Sequence, residues 1–388
     1  MRDAWQLDDS IHFLNHGSFG ATPRVVLEQQ NEFRRHLEAE PVRFMVRELE
    51  PLFDQARCRL ADFIGAQAQD LAFVTNATTG VNAVLRSLDF QPGDELVTTN
   101  HGYNACTNVL RYLAERTGAK VVIASVPFPV ESSQAIQDVV LASVTPRTKL
   151  VLLDQITSPT ALVFPINSLV RELEGRGIQV LVDAAHAPGQ VPLALDATGA
   201  SFTTGNLHKW VCAPKGCAFL HVRRDLQPKI RPAVISHGAN SKRTDRSRFQ
   251  LEFDWVGTQD PTAFLCVPAA LDFMGSLLPG GWPALMEANH RAAIEARAQL
   301  MEVLPQPLPC PPELLGAMAS VVVPRDPGDR LFQEFKIEVP VIPFAAKTLV
   351  RVSMQRHVRP GDVPALASAL RQTISETPRS PKAWSPPP

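Results

Sequence analysis

The segment Thr203-Thr204-Gly205-Asn206-Leu207-His208-Lys209-Trp210, followed by Pro214-Lys215-Gly216, sets a lysine in a turn-rich connection just before an apolar run. A lysine held among apolar and polar neighbours has a lowered pKa and forms Schiff bases. By itself it reads more simply as a solvated surface charge. Asp183 stands 26 residues upstream, in Val182-Asp183-Ala184-Ala185-His186. A carboxylate closing an apolar strand is costly unless paired with a metal or a protonated heterocyclic nitrogen. Asp183 and His186 resemble a metal pair, but no third or fourth ligand stands nearby in sequence, so no metal site is assigned. Helix capping by Asp183 is an equally good account of that residue alone. Further upstream, Phe73-Val74-Thr75-Asn76-Ala77-Thr78-Thr79-Gly80-Val81 runs from a strand into a helix. Free amides and threonine hydroxyls there form an anion site, although capping by Thr78 alone would explain the loop. The loop is neither a P-loop nor GxGxxG. Taken together, the three segments supply an aldehyde anchor, a pyridinium partner and a phosphate site, the groups pyridoxal phosphate requires.

Alternating apolar runs and amphipathic stretches must position these residues. The pattern predicts strands at Leu71–Val74, Glu95–Thr99, Lys120–Ser125, Lys149–Asp154, Gln179–Asp183 and Cys217–Val222. Helices are expected at Gly80–Leu88, Asn104–Thr117, Ala135–Val144 and Asn167–Arg176. That order is α/β, a large doubly wound, mainly parallel sheet whose ligands bind beyond the strands' carboxyl ends. Helical patterns at Pro23–Glu38 and Leu49–Ile64 precede it, and Thr262–Met274 and Trp282–Val303 follow. Strands at Ala319–Val323 and Leu349–Ser353 and a helix at Gly361–Ile374 complete a smaller α+β unit, closed by both chain ends. The expected divisions are 1–65, an N-terminal segment with helices; 66–260, the large cofactor domain; 261–375, C-terminal helices and small domain; and 376–388, a proline-rich extended tail.

The lysine motif GNLHKW, the DAAH motif and the NATTGVN loop together resemble the class V aminotransferase family of fold-type I pyridoxal-phosphate enzymes. The opening FLNHGSFGATP, PVRFMVREL and TSPTALVFP resemble its isopenicillin N epimerase-like branch. The resemblance covers roughly residues 10–375 and implies a seven-stranded type of sheet. It implies that Lys209 forms the Schiff base and carries the mobile proton, and that Asp183 keeps the pyridine nitrogen protonated. His186 would lie near the cofactor's 3-oxygen, with Ser158 in the same neighbourhood. Tyr103 would stack on the ring, with His101 as its competitor for that place. Ala77, Thr78, Thr79, Asn206 and His208 would surround the phosphate, and Thr258 would reach it from a partner subunit, giving a homodimer with shared sites. Arg351 would clamp the substrate α-carboxylate, and Asn15 would line the substrate site. Arg43 fits a second substrate anion less well than a surface ion pair.

The reaction implied is an external aldimine and a Cα carbanion on an amino-acid substrate, ending in epimerisation. C–S elimination is the alternative; transamination and cysteine desulfuration have less support. Cys310 precedes Arg351 by 41 residues, as a desulfurase thiol would, but prolines flank it on both sides. A silent binding module of the same fold would be expected to lack Lys209, Asp183 or Arg351, and all three are present.

Composition bounds these readings. Lys+Arg 38 against Asp+Glu 39 disfavours a nucleic-acid partner held by bulk charge. No apolar run reaches the length of a membrane span, and MRDAWQLDDS lacks the apolar core of a secretory signal, so the expected compartment is cytoplasmic. Six scattered cysteines, with no CxxC, read as ordinary thiols.

Overall fold

The computed structural model describes residues 1–375; the expectation for the tail at 376–388 lies outside the described residues. Seven strands form the central sheet: β1 (Leu71–Val74), β2 (Glu95–Thr99), β3 (Lys120–Ala124), β4 (Thr148–Asp154), β5 (Gln179–Asp183), β6 (Phe202–Asn206) and β7 (Ala218–Val222). Their spatial order is β1-β7-β6-β5-β4-β2-β3, parallel throughout except for β7, which runs against both its neighbours. The strands read as continuous apolar runs because both faces are covered. Leu150 and Leu152 of β4 pack on one side with the helices Ala77–Ser87 and Asn104–Thr117. Val151 and Leu153, between them in sequence, pack on the other side with Ser133–Ala142 and Ile166–Gly175. Successive strand residues point to opposite faces, so one run serves two cores.

β6 corrects the expectation of a turn-rich connection at this place. Phe202, Thr203 and Thr204 pair with Leu181, Val182 and Asp183 of β5. Their small side chains conceal the strand from an apolar pattern, but close packing requires them. A Cβ on Gly80 would fall 2.2 Å from the Thr204 hydroxyl, and one on Gly205 would fall 2.8 Å from the Phe219 ring. The first helix of the site therefore rests directly on β6. A second correction concerns Thr262–Met274, which is two helices, Thr262–Leu265 and Val267–Ser276. Pro268 sits in the first turn of the second, where its missing N–H and its ring prevent continuation of the turn before.

The smaller unit holds a three-stranded antiparallel sheet in the order Val341–Phe344, Lys347–Ser353, Met318–Val323. The chain's beginning joins it: His12–Phe13 pairs in parallel with Ile337–Glu338, and the Ser353 amide donates to Leu14 O at 2.9 Å. This anchorage carries residues 15–20 over the carboxyl ends of the central strands. The segment turns at Gly20, whose φ is +71° and whose added Cβ would lie 1.9 Å from His208 O. Only glycine fits that approach. Among the described residues no single helix is long and apolar enough to cross a membrane.

Candidate active site

The strand ends open into a cleft of ≈ 350 Å³ whose lining includes Thr78, Tyr103, Asp154, Asp183, His186 and Lys209. Its position follows from topology, since the loops leaving parallel strands part where the sheet order reverses direction.

Lys209 lies just beyond β6, half-buried, with Nζ 3.0 Å from His186 Nε2. Burial, with Arg351 adding to it, lowers its pKa to about 7, against the pull of Asp183 and Asp154. The amine is thus partly unprotonated at neutral pH. His186 is buried, and burial and Lys209 push its pKa well down. Trp210 Nε1 is 3.5 Å from His186 Nδ1. An indole N–H only donates, so Nδ1 accepts and the imidazole proton sits on Nε2, facing the lysine amine.

Asp183 Oδ1 accepts from the Ala185 amide at 2.9 Å and Oδ2 from the Cys106 thiol at 3.2 Å. Burial raises its pKa, and it raises that of its neighbour Asp154 further.

The phosphate-end expectation needs one correction. The helix Ala77–Ser87 is capped by Asn76, not Thr78: Asn76 Oδ1 accepts from the Thr79 amide at 2.8 Å. The Ala77 amide donates to Asn206 Oδ1 at 2.8 Å. Thr79 faces away, its hydroxyl 3.1 Å from that of Thr75. Thr78 lines the cleft. His208 also lines it; its Nδ1–H donates to Cys217 O at 3.2 Å, which leaves Nε2 for a ligand. Burial lowers the His208 pKa to about 4.

Tyr103 stands on the rim of the cleft, 44% exposed. His101 does not compete. It is buried, with Nδ1 2.7 Å from the Thr160 hydroxyl and Nε2–H donating to Val126 O at 3.0 Å. Its ring packs on Phe344.

Arg351 lies behind the rim formed by Ser18 and Ser158. Its Nη1 donates to Ser158 O at 2.6 Å and Ser158 Oγ at 3.0 Å, and Nη2 reaches Ser18 Oγ at 3.4 Å. Ser158 is therefore the arginine's partner. The guanidinium is 2% exposed, makes no salt bridge among the described residues, and its Nε lacks an acceptor. Burial alone pulls its pKa to about 10. A buried cation without a counter-ion is what an anionic ligand completes. Asn15 stays outside the cleft; it bonds Glu338 Oε1 at 2.9 Å and accepts from Ser18 Oγ at 2.5 Å. Arg43 pairs with Glu48 at 3.1 Å, the surface ion pair expected of it. Thr258 is exposed on a loop away from this cleft.

Sequence reasoning missed Asp154, Cys106 and Lys215. Asp154 carried a usable signal, because it closes the apolar run of β4 as Asp183 closes β5. Lys215 follows Lys209 by six residues in the same turn-rich segment, whereas Cys106 carried no signal and only tertiary packing brings it to Asp183.

The residues present fit pyridoxal phosphate. A near-neutral lysine amine, a buried carboxyl for the ring nitrogen, an open helix-terminal amide and a rim aromatic stand around one cleft. The Aminotransferase class-V profile matches residues 12–307. The chain is 32% identical to the isopenicillin N epimerase of Amycolatopsis lactamdurans, over 96% of this chain and 97% of that protein. It is 29% identical to the L-cysteine desulfhydrase of Arabidopsis thaliana, over 80% and 70%. A structure of the cystine C–S lyase C-DES with cysteine persulfide superposes with a TM-score of 0.80 at 20% identity, covering 94% and 98%, and shows the same fold. By its matched profile, the cleft that profile spans and its full-length relatives, this chain belongs to the aminotransferase class-V family of pyridoxal-phosphate enzymes.

Proposed function

We propose that this enzyme removes the Cα proton of an amino acid and returns it with epimerisation. The observation that carries the reading is the pairing of a near-neutral Lys209 amine with the uncompensated Arg351 guanidinium beside one cleft. When bound, pyridoxal phosphate supplies an aldehyde for amines and an electron-withdrawing ring for the charge left at Cα. Thr78 and His208 would hold the phosphate end, with Asn206 fastening the loop through the Ala77 amide. Asp183 would hold a proton at the ring nitrogen, Tyr103 would cover a ring face, and His186 presents its Nε2–H to the Lys209 side. Arg351 binds the α-carboxylate. Lys209 takes the Cα proton on its own face, and inversion requires a proton returned from the opposite face.

C–S elimination is the second reading. It needs one proton carrier at Cα, which Lys209 provides, whereas epimerisation needs donors on both faces. The Arabidopsis relative's name carries that activity. A sulfur relay is not favoured: Cys310 is buried against Arg297, whose Nη1 lies 3.4 Å from its sulfur, away from the cleft. Incubation with single amino acids in deuterated water separates the readings. Loss of optical rotation with Cα deuterium and no new product supports the epimerase. Pyruvate with a sulfur product supports the lyase and overturns the first reading.

The assembly we propose is a homodimer. Thr258 is exposed near an apolar cavity of ≈ 430 Å³ that Val256 and Val234 line, and Val234 and Ile235 are themselves exposed. Thr258→Ala is expected to weaken cofactor retention about tenfold or more, the value of one charge-assisted hydrogen bond. A monomer in sedimentation that holds cofactor normally would refute the shared site. Six unpaired cysteines favour a reducing compartment, and on that ground we place the enzyme in the cytoplasm.

A further inference from the structure

The chemistry above uses Asp183 and leaves a second buried carboxyl beside it without a role. Asp154 and Asp183 end adjacent parallel strands and are direct register partners. Such partners project to the same face of a sheet, with Cβ atoms about 5 Å apart. Both are under 5% exposed, and both line the cleft. Their donors are few and neutral. Asp183 accepts from the Ala185 amide and the Cys106 thiol. Asp154 accepts only from the Tyr103 amide, at 3.1 Å to one oxygen and 3.4 Å to the other. Neither forms an ion pair among the described residues. The titratable groups facing Asp154 are Asp183 on β5, Cys106 on the helix Asn104–Thr117 and Lys209 beyond β6. Two buried carboxylates on adjacent register positions do not both ionise, so the pair keeps one proton. Asp183 has the better donor set and hence the charge.

We propose that Asp154 is a positioning residue for the cofactor: it keeps the pair's proton, confines the negative charge to Asp183, and so sets how firmly Asp183 holds the ring nitrogen. The inference deepens the pyridoxal-phosphate reading of the cleft and rests on it. A neutral Asp154 adds polarity beside Asp183 without a second charge. It also makes the pair a reserve, because loss of the Asp183 charge lets Asp154 ionise in its place.

The test compares holoenzymes of wild type, Asp154→Asn, Asp183→Asn and the double variant. Readouts are pyridoxal phosphate affinity and the pH profile of the visible absorbance. A carboxamide copies a neutral carboxyl, so Asp154→Asn is expected to keep affinity within about threefold and to leave the absorbance midpoint in place. Asp183→Asn is expected to lose about tenfold or more, and the double variant about tenfold again, because no carboxyl remains to take the charge. If Asp154→Asn alone behaves like Asp183→Asn, or the double variant is no worse than Asp183→Asn, the proposal is overturned. Infrared spectroscopy needs no Asp154 variant: a buried protonated-carboxyl band is expected in wild type at neutral pH and weakens in Asp183→Asn. Absence of that band in wild type also overturns it. A wild-type chain with no borohydride-sensitive visible band overturns the cofactor reading itself, which distinguishes that failure from failure of the pair.

Discussion

Replacing Lys209 with alanine is expected to abolish the borohydride-sensitive visible absorbance and to reduce turnover by about 10⁴-fold or more, the combined loss of nucleophile and proton carrier. An unchanged spectrum would remove the lysine from the chemistry. The same residue has an opposite effect on the protein without cofactor. Its folded pKa of about 7 lies below the ordinary lysine value, so the unfolded chain binds more protons between pH 7 and about 10.4. Stability contributed by this site therefore rises with pH across that window, and the penalty is complete below pH 7. Lys209→Met keeps the side-chain volume and removes the charge. It is expected to stabilise the cofactor-free protein by about 2–5 kcal/mol at pH 7 and below, with the gain shrinking toward pH 10. Paired thermal melts across that range check it. A gain that grows with pH would mean that burial does not depress this lysine.

Arg351→Ala is expected to raise KM for amino-acid substrates with little change in kcat, by about 2–5 kcal/mol of lost binding, or about 30- to several-thousand-fold. The argument is structural. The guanidinium is buried, its neighbours Ser158 and Ser18 are neutral, and its Nε has no acceptor. An α-carboxylate would complete it with charge-assisted hydrogen bonds. Arg351→Lys keeps a charge but loses the planar fork, and its KM is expected to fall between the two. Steady-state kinetics on the three proteins decide the matter; equal KM values would assign Arg351 to holding the Ser18 and Ser158 rim instead.

Much of the candidate site was legible because its parts are local. Asp183 ends an apolar strand, His186 follows three residues later, and Lys209 sits in a short motif separated from Asp183 by one crossing from β5 to β6 that holds a single helical turn, Leu195–Thr198. Strand β6 was not legible, since Thr203, Thr204 and Gly205 were chosen for close approach to Gly80 and Phe219 and carry no apolar signature. The cap was read at Thr78, but Asn76 takes it and leaves Thr78 facing the cleft. His101 and Tyr103 were indistinguishable in sequence, two residues apart in one turn. The fold separates them by burying the first against Phe344 and exposing the second.

By itself, then, the sequence determined the alternation of strands and helices and pointed to the lysine, the acidic strand end and the threonine-rich loop that the fold brings to one cleft, because hydrophobic period and strand-end chemistry act over a few residues. Only the tertiary structure decided what depends on distant chain. It seats Arg351 behind Ser18 and Ser158, which come from three separate regions. It lays residues 15–20 across the cleft through pairing of His12–Phe13 with Ile337–Glu338. It sets Asp154 beside Asp183 through strand register. Register and long-range packing are fixed by shape and burial summed over the whole chain, and no short window of residues encodes them.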